Sequence, residues 1–205
     1  MTQRFEFPGL SAVVLAAGRS QRMGKPKAFL PDGAGETFLG RILRTLRSAS
    51  AGPLIVVGAP HWSENLPELT TAEATLVINR HPERGQLSSL QCGLAAAPRS
   101  TGMLVTLVDV PFVMPETVAR LVMTWSRTRA DVVRPANETR HGHPIVIGPS
   151  VIADLLKADT RATARSVLAA YVSTTVDVYT NDPGPFTDID TPDDYERVTG
   201  LRLQV

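Results

Sequence analysis

Short, continuous apolar runs recur along this chain at the length of a β-strand, with amphipathic helical patterns between them, and that alternation leaves few folds open. The runs fall at residues 12–17, 54–57, 75–78, 103–108, 132–133, 145–147 and 172–178. They are apolar throughout rather than at every second position, the pattern of strands buried on both faces. The clearest helical stripe is Val118, Leu121, Val122 and Trp125, spaced i, i+3, i+4 and i+7, with Pro115 at a first-turn position. Leu87, Leu90 and Leu94 repeat that spacing until Pro98 stops it, and Phe38, Ile42, Leu43 and Leu46 form a third stripe that ends before Ala51 and Gly52. Strands covered on both sides and separated by helices predict an α/β domain of three layers, α/β/α, around a mostly parallel sheet. Ligands of such sheets gather outside the carboxyl ends of the strands. The residues just beyond each apolar run are therefore where chemistry is sought.

Composition narrows the options further. The 205 residues suit one domain, and 43% apolar residues against 20% charged ones exclude a disordered chain. No low-complexity stretch, solenoid repeat or Gly/Ser-rich linker divides the sequence, so residues 1–205 are expected to form a single domain. Twenty-one basic residues against twenty acidic ones leave a formal charge of +1. No global field then marks a partner as nucleic acid or an anionic membrane, and any affinity for anions must be local. The first apolar run is broken at Gly18 and Arg19, far short of the roughly 20 residues of a membrane span. Arg4 and Glu6 mix the early charges and Pro8 and Gly9 follow, which does not make a signal peptide. Cys92 is the one cysteine, so no intrachain disulfide or multi-cysteine zinc site can form, and the expected location is the cytoplasm. Its place on an Ala/Leu helix predicts packing rather than reactivity, as does that of Trp125 on its stripe. Trp62 and Phe186 fall in loops and could serve either purpose.

Directly after the first run, residues 18–27 hold two glycines, Gly18 and Gly24, and four cations, Arg19, Arg22, Lys25 and Lys27. Glycines admit close approach of the main chain to an anion, exposed N–H groups can cradle oxygens, and the cations can neutralise charge, so the loop suits a triphosphate. Five residues separate the glycines and Pro26 follows Lys25, which excludes a Walker loop, and no G-x-G-x-x-G follows this strand. A Gly/Arg loop can also be a solvated turn. Its position after the first strand is what points to phosphate.

Asp109 directly follows the run at 103–108, at the mouth of the expected site. Carboxylate oxygen suits Mg²⁺, which completes its shell with waters and substrate phosphates, so Asp109 is the first candidate metal ligand. Asp188 and Asp190, if extended, point to one side, and either could reach the same ion. Thr191 to Asp194 has the form of a helix N-cap with Pro192 in the first turn, which assigns Asp193 and Asp194 to the helix start. Asn79 ends the third strand, and Gly85, Ser88 and Ser89 lead into a helix, where the serines can cap that helix or bond a base or ribose. His141 and His143 flank Gly142 without a nearby cysteine or a third ligand, so zinc is not expected there. His61 and His81 carry no comparable signal.

The segment Leu15-Ala-Ala-Gly-Arg-Ser-Gln-Arg-Met-Gly-Lys-Pro-Lys27 resembles the signature loop of the MobA-like nucleotidyltransferases. The later motifs follow that family in order across nearly the whole chain, including Asn79, the Gly85-to-Leu90 segment and Asp188-Ile-Asp-Thr-Pro192. Within the family, Ala17 and Gly142-His143-Pro144 are most similar to the molybdenum cofactor cytidylyltransferases, since the guanylyltransferase branch carries a glycine where Ala17 stands. The resemblance implies a Rossmann-like nucleotidyltransferase fold. It also implies transfer of CMP from CTP to the terminal phosphate of molybdopterin, with release of pyrophosphate and, downstream, a recipient molybdoenzyme. By the same resemblance Leu15, Ala16, Ala17, Gly18, Arg19, Lys27, Asn79, Gly85, Ser88 and Ser89 contact the nucleotide, Asp190 joins Asp109 on Mg²⁺, and His143 contacts or shapes the acceptor site. A phosphate monoester is already anionic near neutral pH, so the nucleophile needs no general base. Charge control dominates instead, with Lys27 and Arg22 expected on the reacting and leaving oxygens and Arg19 assisting more weakly. Three rivals share these motifs: GTP in place of CTP, a sugar or polyol phosphate as acceptor, and a non-catalytic chaperone of molybdenum cofactor.

Overall fold

The computed structural model describes residues 10–18, 20–49, 52–62, 65–98, 101–159 and 161–203. Seven strands, β1 (Leu10–Leu15), β2 (Leu54–Gly58), β3 (Ala74–Ile78), β4 (Gly102–Leu107), β5 (Val132–Ala136), β6 (Ile145–Ile147) and β7 (Thr175–Tyr179), join one sheet. Their order is β3-β2-β1-β4-β6-β5-β7. All pairings are parallel except those of β6, which runs antiparallel to both β4 and β5. The helices are α1 (Phe38–Ser48), α2 (Pro67–Thr71), α3 (Gln86–Ala96), α4 (Pro115–Thr128), α5 (Pro149–Lys157), α6 (Ala164–Leu168) and α7 (Pro192–Thr199).

Strand β1 shows why the sheet is covered on both sides. All six of its residues are buried, and because successive side chains alternate, they divide between two cores. Ala12 and Val14 join Leu43 and Leu46 of α1 and Leu121 and Trp125 of α4 on one face. Val13 and Leu15 join Leu87, Leu90 and Leu94 of α3 and Val151 and Leu155 of α5 on the other. At Gly93 a Cβ would lie 2.6 Å from the Val13 side chain, so only glycine lets α3 pack this closely on β1. That close packing holds the start of α3 over the carboxyl end of the sheet.

A smaller third core ties the chain's two ends together. Met23, Leu30 and Phe38 from the segment after β1 pack with Ile189 and Tyr195 near the C-terminus. Tyr195 donates its hydroxyl proton to the Pro31 carbonyl at 2.9 Å, and Ile189 N–H donates to the Asp109 carbonyl at 2.9 Å. Thr191 and Asp194 form the expected capping box on α7.

Two expectations shift. The apolar run at 172–178 enters the sheet only from Thr175, because Ala169–Thr174 forms a 3₁₀ helix in which Thr174 and Thr175 hydroxyls donate to the Tyr171 carbonyl. Val172 is left 64% exposed and contributes nothing to the core. The two loop aromatics take the packing role: Trp62 is buried against Phe29 with ring centroids 4.7 Å apart, and Phe186 is buried. Cys92 is half-buried against the α3 side of the core. Among the described residues no helix is long and apolar enough to cross a membrane.

Candidate functional site

A cavity of about 610 Å³ opens at the carboxyl ends of β1, β3 and β4. Its walls come from the loop after β1 (Ala17, Gly18, Ser20, Gln21, Arg22, Lys27), the β3–α3 connection (Pro82, Glu83, Gly85, Gln86, Ser89), Asp109 and Asp190. The loop after β1 is shaped by two left-handed residues, Ser20 at φ 46° and Gly24 at φ 66°, around a 3₁₀ turn, Gln21–Met23. Buried Met23 anchors that turn in the third core, which leaves Arg22 beside it exposed and facing the cavity. A second 3₁₀ turn, Lys27–Phe29, buries Lys27, whose own N–H donates to Ser20 Oγ at 3.2 Å.

Lys27 and the aspartates meet across long stretches of sequence. The Lys27 ammonium donates to Asp190 Oδ1 at 2.6 Å and to Asp109 Oδ2 at 3.4 Å, and Arg22 lies 3.3 Å from Asp190 Oδ2. The hydrogen bond from Lys27 holds the Asp190 carboxyl below the usual carboxylate range, with Arg22 adding to the effect. Partial burial and the neighbouring charges of Asp109 and Asp190 push Asp188 the other way, up from its ordinary value. Asp188 does not line the cavity, whereas Asp190 does. Ile189 between them is buried in the third core, which turns the flanking carboxylates outward on one side of the segment.

The donor set fits a hard divalent ion. Asp109 Oδ1 is buried and has no hydrogen-bond partner, although leaving such an atom unpaired costs about 1–3 kcal/mol. Asp109 and Asp190 already share one cation, so their oxygens lie within the span of a single charge. Among the described residues no three His, Cys, Asp or Glu side chains gather into a metal-binding group. Mg²⁺ or Mn²⁺ needs only one or two carboxylates when waters and phosphates supply the remaining ligands.

The other sequence-derived candidates divide. Leu15, Ala17, Gly18, Gly85 and Ser89 line the cavity, and Gly85 takes a φ of 91°, a left-handed backbone that favours glycine at the start of α3. Ala16 is buried in the α1–α4 core, and its N–H is taken by the Val57 carbonyl. Asn79 is buried and Ser88 half-buried, and neither lines the cavity; both are engaged in hydrogen bonds within the β3–α3 connection. Lys25 is exposed and outside the cavity wall. Arg19 lies outside the described residues.

His143 sits next to the carboxylates, with its Nδ1 buried and unpartnered. Burial lowers its pKa from the ordinary histidine value, against the opposing pull of the Val105 backbone and of the charges on Asp109 and Asp188. His141 is engaged elsewhere, 3.3 Å from Asp177 of β7 and 3.0 Å from Arg134, so the two histidines do not converge. Gln21 and Gln86 also line the wall, inside the quoted motifs but given no role there, as do Pro82 and Glu83, which lie outside every motif and were signalled only by closeness to Gly85.

A cationic loop beyond the central strand, opposed by carboxylates from the next strand and from the C-terminal segment, is built on the fold of a nucleotidyltransferase. The solved structure of a nucleotidyl transferase from Methanothermobacter superposes with a TM-score of 0.78 at 25% identity, covering 94% of this chain and 97% of that one. The chain belongs to the MobA-like NTP transferase family, whose model matches residues 12–175. It is 31% identical over 196 residues to the molybdenum cofactor guanylyltransferase of Sinorhizobium fredii, covering 90% of this chain and 88% of that protein. It is 33% identical over 134 residues to a probable molybdenum cofactor guanylyltransferase of Mycolicibacterium paratuberculosis, a match that spans 64% of this chain and 66% of that relative's length. Rv0371c of Mycobacterium tuberculosis, solved in complex with manganese, superposes with a TM-score of 0.70 at 26% identity over 94% of this chain and 98% of that one.

Proposed function

We propose that this protein transfers a nucleoside monophosphate from a nucleoside triphosphate to the terminal phosphate of molybdopterin and releases pyrophosphate. The observation that carries this is the Lys27 ammonium held between Asp109 and Asp190 in the wall of the cavity, with Arg22 beside it. Two polyanions must meet there, and positive groups fixed in advance lower the barrier without reorganising at the moment of reaction. Lys27 and Arg22 stabilise phosphate oxygens, the N–H groups around Gly18 cradle them, and the third core holds both cations in register with the carboxylates. Asp109 and Asp190 would hold Mg²⁺, which when bound neutralises phosphate charge and helps fix in-line geometry. His143, buried beside Asp109 and Asp188, would shape the acceptor side.

The relatives support GTP as the donor: the Sinorhizobium protein is named a guanylyltransferase and the Mycolicibacterium one a probable guanylyltransferase. A second reading, CTP, rests on Ala17, whose buried side chain lines the cavity at the position where the guanylyltransferase branch carries glycine. Pyrophosphate release from each of the four nucleotides, with Mg²⁺ and molybdopterin present, tests both. Release with GTP supports the first reading, and release confined to CTP replaces it with the second. Release only with methylerythritol phosphate as acceptor moves the chain to a different substrate, and cofactor binding without any release leaves the chaperone.

A further inference from the structure

Asn79 follows β3, and its side chain is committed inside the protein. One amide proton goes to Ser88 Oγ at 3.0 Å, the other to Ser89 Oγ at 2.9 Å, and Oδ1 accepts from His81 N–H at 2.9 Å. An amide has two protons to give, so Asn79 has no donor left for a ligand. It is also 2% exposed and absent from the cavity wall.

The two hydroxyls it fixes are left in different states. Ser88 Oγ accepts from Asn79 and passes its own proton to the Gly85 carbonyl at 2.9 Å, with the His81 carbonyl at 3.2 Å as a second acceptor. Ser88 is thereby satisfied. Ser89 Oγ also accepts from Asn79, yet no protein acceptor among the described residues takes its proton, and Ser89 lines the cavity. A buried hydroxyl with one lone pair occupied and its proton unassigned is a donor waiting for an acceptor.

The sheet order says which part of a nucleotide meets it. Lys27, Arg22, Asp109 and Asp190 gather beyond β1 and β4, whereas Ser89 lies on the β3 side, where Pro82, Glu83, Gly85 and Gln86 form the wall and contribute no cation. Phosphates belong at the cationic end, which leaves the nucleoside at the end that contributes no cation.

We propose that Asn79 is a positioning residue that turns Ser89 into a dedicated hydrogen-bond donor to an acceptor atom of the nucleoside, and that neither Asn79 nor Ser88 touches the ligand. This rests on the reading that the cavity binds a nucleoside triphosphate. Calorimetric titration of the full chain with GTP, CTP and inorganic tripolyphosphate, each with Mg²⁺, tests it. Ser89→Ala weakens binding of the preferred nucleotide by about tenfold, the scale of one buried hydrogen bond, and leaves tripolyphosphate binding unchanged. Ser88→Ala changes neither.

Asn79→Asp is the decisive variant. It keeps the shape and the acceptor for His81 N–H but offers the serines no proton, so Ser89 turns to donate to the new carboxylate. Nucleotide binding then falls as in Ser89→Ala, and the double variant Asn79→Asp/Ser89→Ala is no weaker than either single one. Thermal melting of each variant establishes that it is folded. Wild-type nucleotide binding with Ser89→Ala equally tight overturns the proposal, as does a loss in Ser88→Ala of the same size. A wild-type chain that binds tripolyphosphate but neither nucleotide overturns the nucleotide reading itself, and the proposal falls with it.

Discussion

Two aspartates downstream of β1 and β4 show opposite uses of the same side chain. Asp32 closes a turn: its Oδ1 accepts from the N–H groups of Ala34 at 2.8 Å and Glu36 at 3.0 Å, and its Oδ2 from Arg41 at 3.1 Å. Burial pushes the Asp32 carboxyl up, but these donors together outweigh it and hold the group below its ordinary value. Asp109 is left open: among the described residues its buried Oδ1 has no partner and its Oδ2 takes only a 3.4 Å contact from Lys27. A carboxylate surrounded by its own backbone donors makes structure. One whose oxygen is withheld from the protein is available to a ligand.

That contrast can be broken in several ways. The largest expected effect is on turnover: Asp109→Ala and Lys27→Ala should each raise the barrier by about 2.7–4 kcal/mol, the range for losing one preorganised electrostatic contact. Steady-state pyrophosphate release measures it, and unchanged turnover in either variant removes that residue from the mechanism. Asp32→Asn should instead act on stability, costing about 1–3 kcal/mol through hydrogen bonds lost from a buried site, with kcat per folded molecule retained.

The pH dependence follows from the direction of the shift. A carboxyl held low when folded stabilises the protein above the unfolded value, 3.8 for Asp32, and loses that contribution as pH falls through the lower folded value. Urea unfolding of wild type and Asp32→Asn should therefore differ at pH 7, and the two should converge only as pH drops below 3.8 towards the lower folded value. The smallest expected effect concerns the metal. Without nucleotide, Asp109→Asn should weaken Mn²⁺ binding by about tenfold, or about 1.4 kcal/mol, while Asp32→Asn leaves it alone. Electron paramagnetic resonance of free Mn²⁺ reads this directly, and equal loss in both variants would erase the distinction between the two aspartates.

Much of the framework was legible from local pattern. The runs that became β1, β2, β3, β4 and β6 were apolar enough to read as strands, although β3, at the edge of the sheet, is only half-buried rather than covered on both faces, and the stripes of α1, α3 and α4 were wide enough to read as helices. Helix α5 escaped because its fully buried positions reduce to Val151 and Leu155, too few to define a stripe. At the site, the positions of Asp109, Asp190 and the first loop followed from strand ends and the family resemblance. Their pairing through Lys27 did not, because it joins residues 82 and 163 positions apart. For Asn79 the spacing left a ligand contact and a structural role open, and only the family resemblance implied the contact. What its amide bonds depends on how the first turn of α3 folds back over the strand end, which no spacing encodes.

The third core has a consequence for how the molecule is made. Met23 and Leu30 complete their packing against Ile189 and Tyr195, and Asp190, which bonds Lys27, directly follows buried Ile189. A chain emerging from the ribosome at about 5–20 residues per second carries the cationic loop first and Asp190, which bonds Lys27 and Arg22, near the last. Until synthesis has passed Tyr195, Lys27 and Arg22 are without Asp190 and the cavity is without that part of its wall, so the site is finished only late in synthesis.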